Sequence, residues 1–125
     1  MNIDRLIITN NELVYTEYKD TLETLYLKNY NYIDVLKVTR DKIHRGHKLC
    51  THPLAGSIKA NDTPYKSILI SKYESYLDEI SLSIIENSIQ VYTDLLRDNT
   101  TPLWTKDVLN QFMIIDLSII KNSII

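Results

Sequence analysis

Glycine and proline are scarce in this sequence, at two and three residues, and cysteine occurs once, at Cys50. So few chain breakers in 125 residues argue against a loop-rich, disulfide-stapled or low-complexity protein. A lone cysteine closes no internal disulfide, which suits a reducing compartment. No apolar run nears the ~18 residues that a membrane span requires. The opening Met1-Asn2-Ile3-Asp4-Arg5 lacks the basic flank, apolar core and cleavage site of a secretory signal. The expectation is a cytoplasmic protein with no membrane contact. Basic charge is not in excess either: the net charge is −2, which does not suit a general nucleic-acid binder.

What is present is an ordinary globular composition, 44% hydrophobic and 24% charged. The length is that of one domain, taken as residues 1–125. Leu6-Ile7-Ile8-Thr9 reads as a buried strand ending in the turn Asn10-Asn11. A helix is predicted from Glu12 to about Thr21, then a weaker strand at Leu25-Tyr26-Leu27. Ile33 to Arg45 has helical spacing, with His44 and Arg45 in the last turn and Gly46 just beyond. Lys48-Leu49-Cys50-Thr51 is predicted as a third strand, stopped by His52-Pro53, and Ser67–Ser71 as a fourth. Leu82, Ile85, Ile89, Tyr92 and Leu96 form one helical stripe. A last helix starts after Thr105, with Val108, Leu109, Phe112, Ile115, Ile119 and Ile120 as its buried residues. This order predicts an α/β fold: a three-layer domain with a short, mostly parallel four-stranded sheet, a Rossmann-like first half and two C-terminal helices.

The stretch from Arg40 to Ser67 stands apart. It has six basic and two acidic residues, a local charge of +4 that leaves −6 for the remainder. It also holds all three histidines (His44, His47, His52), both glycines and the cysteine. If the first and third strands run parallel, Asn10-Asn11 and His52-Pro53 emerge at one sheet edge, the usual place for a ligand in an open α/β sheet.

Three chemistries compete for this stretch. His44, His47, Cys50 and His52 are suitable metal donors, but Gly46 breaks the helix between the first two and Cys50 reads as a core residue, so no metal is expected. Ser57 with His52 lacks the G-x-S-x-G elbow of a hydrolase. Anion binding fits better: Gly56 permits close backbone approach, Ser57, Lys59 and Thr63 add donors, and Arg40 offers a planar fork. The candidate ligand-binding set is Asn10, Asn11, Arg40, His52, Gly56, Ser57, Lys59, Thr63, Tyr65 and Lys66. There is no P-loop, and no cofactor is implied.

Thr9-Asn10-Asn11, the block from Arg40 to Leu49, the block from Thr51 to Lys59, Thr63-Pro64-Tyr65-Lys66-Ser67, Ile85-Glu86-Asn87 and Ile115-Asp116-Leu117 together resemble the GrdX family. The resemblance covers nearly the whole chain. It implies a setting beside the selenium-dependent glycine, sarcosine and betaine reductases of amino-acid-fermenting anaerobes, with reductase components as partners. It carries over no catalytic residues.

Two functions follow as expectations. The first is an accessory protein of that reductase system, recognising a small anion or a partner protein through residues 40–67. The second is a small enzyme on a phosphorylated or carboxylate metabolite, with His52 or His47 as acid–base group and Arg40 and Lys59 as anion clamps. Apolar Ile124-Ile125 would need cover, which a homodimer could supply.

Overall fold

The computed structural model describes residues 4–55, 63–98 and 102–124. Three strands and four helices follow in the order β1 (Arg5–Thr9), α1 (Glu12–Tyr18), β2 (Glu23–Tyr26), α2 (Tyr32–His44), β3 (Ser67–Ser71), α3 (Glu79–Asp98) and α4 (Lys106–Ile124). The sheet order is β2-β1-β3. β1 runs parallel to β2, with α1 between them, and antiparallel to β3, with Thr9 opposite Ser67 and Arg5 opposite Ser71.

Alternation along the strands builds the layers. Leu6, Ile8, Ile68 and Ile70 point to one face, where Val35, Leu36 and Ile43 of α2 and Ile85 and Tyr92 of α3 cover them. Ile7 and Leu69 point to the other, against Val14 of α1 and Ile120 of α4. The three-layer α/β expectation therefore holds, and so do the βαβ first half and the stripe on α3. Ile124 also packs against this second core and is partly buried there.

The sheet itself needs correction. It has three strands, not four, and is mixed, not mostly parallel. The segment 48–51 makes only one isolated bridge, Leu49 to Ile70. Its ladder fails because side chains take the backbone's partners. The N–H of Leu69 donates to Thr51 Oγ1 at 3.0 Å, that of Leu49 to Ser81 Oγ at 3.0 Å, and that of Lys48 to Ser71 Oγ at 2.7 Å. The bridge is antiparallel to β3, so the segment does run in the direction of β1, as expected. The segment 48–51 ends, and β3 begins, at the same end of the sheet, so β3 enters antiparallel.

Local chemistry sets the ends of α2. Asn31 Oδ1 accepts from the Asp34 N–H at 3.0 Å, while the Asp34 carboxylate accepts from the Asn31 N–H, a reciprocal capping box. At the far end Gly46 donates to the Ile43 carbonyl and His47 to the Lys42 carbonyl, the paired bonds of a Schellman turn. Gly46 adopts φ 108°, and a β-carbon there would collide with the Ser75 backbone.

Candidate functional site

At the carboxyl ends of β1 and β2 lies an open cleft of about 460 Å³. Its walls are Tyr26 at the end of β2, Lys28 to Asn31 in the following turn, Tyr32 at the start of α2, and Thr63 to Tyr65 ahead of β3. Asn10, Glu12, Tyr92, Trp104 and Met113 complete the lining. Six of the chain's eleven aromatic residues (nine Tyr, one Trp, one Phe) thus meet here. Tyr32 and Tyr92 stack in parallel at 4.6 Å, and Trp104 meets Phe112 edge to face at 5.7 Å.

Asn10 holds these walls together. Its Nδ2 donates to the Tyr30 carbonyl at 2.9 Å and the Pro64 carbonyl at 3.0 Å, and its Oδ1 accepts from the Lys66 N–H at 2.9 Å. Both amide protons and the oxygen are spent on backbone from opposite sides of the cleft. Asn10 lines the cleft but acts as its clamp.

Asn11 faces the other way, into a buried network under the strand ends. Its N–H donates to Thr9 Oγ1 at 2.9 Å, and its Nδ2 to the Met113 carbonyl at 2.9 Å and Asp116 Oδ2 at 3.0 Å. Its Oδ1 caps α1 by accepting from the Leu13 N–H. Ser67 donates to Asp116 Oδ2 at 2.7 Å, so the Thr9 hydroxyl, 2.6 Å from Ser67 Oγ, must be the donor to it. Burial pushes the Asp116 carboxyl above the usual range, against the bonds from Ser67 and Asn11 and the charge of Lys66.

Lys66 is buried beside this network, and its ammonium donates to the Ala55 carbonyl at 2.7 Å. Burial lowers it to about 8, with Asp116 opposing. Tyr26 and Tyr65 are pushed up, by burial first and then by the negative charge of Glu12.

Of the other expected site residues, His52 stays near this edge, the carbonyl of its neighbour Pro53 accepting from the Tyr32 hydroxyl at 3.4 Å, whereas Arg40 lies away from it. Arg40 is about 12 Å along α2 from Tyr32 and pairs with Glu86 of α3 at 3.5 Å. His47 is buried at the opposite sheet edge, where its Nδ1 donates to the Ser71 carbonyl at 2.8 Å. His52 is exposed, its Nδ1 accepting from the Leu54 N–H at 3.1 Å. His47 and His52 therefore sit at opposite ends of the 48–51 segment and do not form one site. Gly56, Ser57 and Lys59 lie outside the described residues. Among the described residues the basic side chains disperse, with Arg45 paired to Glu74 at 3.2 Å and Lys66 turned inward. Cys50, expected in the core, is exposed. Among the described residues no three His, Cys, Asp or Glu side chains converge as metal ligands.

Sequence reasoning missed Glu12, the aromatic convergence and Asp116. The excess of tyrosine over phenylalanine was the available signal for the second. For Asp116 it was a carboxylate inside the apolar run Met113 to Ile120.

The chain is therefore a three-layer α/β protein with an aromatic cleft at its strand ends. The sequence matches the family model described as GrdX-like protein over residues 6–125, and the chain belongs to this family. Neither a curated protein nor a solved structure matches it.

Proposed function

We propose that the protein is an accessory binding protein of the selenium-dependent glycine, sarcosine and betaine reductase system, and that the cleft at the ends of β1 and β2 is its working surface. Family membership supports the setting. The observation that carries the binding reading is the construction of the cleft: aromatic walls from four chain segments, clamped by one buried asparagine. Concave, largely apolar sites with a few fixed polar groups are the usual form of a small-molecule site. The enzyme alternative is weaker because Arg40 and His47 already have partners away from this edge.

Capture of purified reductase components by the tagged protein tests this reading. Retention is expected from the unaltered protein and from Arg40→Ala, with a marked loss for the double variant Tyr30→Ala, Tyr65→Ala. No retention at all, or loss with Arg40→Ala alone, would overturn it.

A further inference from the structure

The fixed charges in the described cleft lining are Glu12 and Lys28. Glu12 has no ion-pair partner among the described residues. It stands at the first position of α1, just after the Asn11 cap, and its charge is felt by the phenols of Tyr26 and Tyr65. Lys28 is exposed, on a flexible stem that can keep its ammonium in water. Tyr26, Tyr30, Tyr65 and Trp104 line the same cleft, and an aromatic face carries a negative quadrupole potential that can add to a carboxylate's. A carboxylate beside aromatic rings favours a cation with apolar substituents. A cleft of about 460 Å³ also exceeds the needs of a bare inorganic ion and suits a small organic molecule.

We propose that this cleft binds a small organic ammonium ion, with its alkyl groups against Tyr30, Tyr65 and Trp104 and its charge facing Glu12. The inference rests on the cleft being the working surface and names the ligand class for it. It replaces the small anion suggested by the basic residues of 40–67. Glu12 also suits the positive end of α1, so the helix alone could account for a carboxylate there. The test must therefore separate ligand recognition from helix stability.

Trp104 is the only tryptophan in the sequence and lines the cleft, so its fluorescence reports directly on occupancy. The full chain is titrated with choline, with the neutral carbon isostere in which a tert-butyl group replaces trimethylammonium, and with inorganic phosphate. Choline is expected to change Trp104 emission saturably, and to bind roughly tenfold more tightly than the isostere. Glu12→Gln is expected to weaken choline several-fold while leaving the isostere unchanged. A parallel urea titration of Glu12→Gln checks that the fold is intact. A variant that fails to fold is replaced by Tyr65→Leu, which removes a ring face and is expected to weaken choline in the same way. Equal binding of choline and the isostere would overturn the inference, as would no choline response. If phosphate alone perturbs Trp104, the ammonium inference falls and the cleft stands as a binding site. If no compound acts, the ligand class falls, and the accessory role is decided separately by capture of reductase components.

Discussion

Asn10 shows how one side chain can position a site without offering it a free atom. Its three bonds join the turn before α2, the turn before β3 and the end of β1. Asn10→Asp keeps the shape but loses both donors, leaving the Tyr30 and Pro64 carbonyls opposite a carboxylate. It should therefore be no better tolerated than Asn10→Ala. Each is expected to cost about 2 kcal/mol or more, read as a fall in the urea midpoint. Lys66 gives a second expectation at this scale. Its folded-state value of about 8 lies below the unfolded value near 10.5, so the unfolded chain binds more protons between them. Stability from this group therefore rises as pH increases through that window. The penalty for burying the charge is fully felt below pH 8. Urea midpoints in the lower half of the window, before the tyrosines ionise, should rise for the unaltered protein and stay flat for Lys66→Met. The Asp116 carboxyl works in the opposite direction: its raised value makes the folded state hold a proton longer, so its contribution falls as pH rises through the acid range. Asp116→Asn can still accept from Ser67 and Asn11, and should flatten that acid-side loss.

The elements divide into those that local pattern determines and those that tertiary contacts decide. Helix α2 is of the first kind. Its Asn31 cap and Gly46 stop are local devices, and its observed end at His44, with Arg45 as the cap, lies within one residue of the expected end. Gly46→Ala is expected to cost about 2 kcal/mol or more, since it adds both a strained φ and a clash with Ser75. Thermal unfolding against the exposed control Lys48→Ala would show it. The segment 48–51 is of the second kind. Its residues read as a strand, but Thr51, Ser71 and Ser81 supply side-chain oxygens to the bonds a ladder would have used. Nothing in 48–51 alone announces that competition. Helix α4 is similar: Ile115 was expected inside and is 53% exposed, while Asp116 is buried. A helix rich in isoleucine on every side leaves its rotation to the partners, and here Ser67 and Asn11 set it by bonding Asp116.

At the scale of the whole molecule, the layers were legible, and so was the sheet edge at which the cleft opens. Alternating apolar residues in β1 predict two covered faces, and the turn at Asn10-Asn11 marks the edge where a ligand belongs. The described basic side chains of 40–67 do not converge, because closeness in sequence is not closeness in space. Helix α2 carries Arg40 away from the edge, and the 48–51 segment separates His47 from His52. Tyrosines spread from Tyr26 to Tyr92 have no common motif, so only the fold assembles them. The central proposal is that the protein binds at this cleft, Thr63 to Tyr65 included, and not along Arg40 to Lys48. The most direct test is amide chemical-shift mapping of the isotope-labelled protein during titration with choline and then with purified reductase components. Perturbations are expected at Asn10, Glu12, Tyr26, Tyr30 and Tyr65. Perturbations confined to Arg40, Arg45, His47 and Lys48, with the cleft residues unmoved, would contradict it.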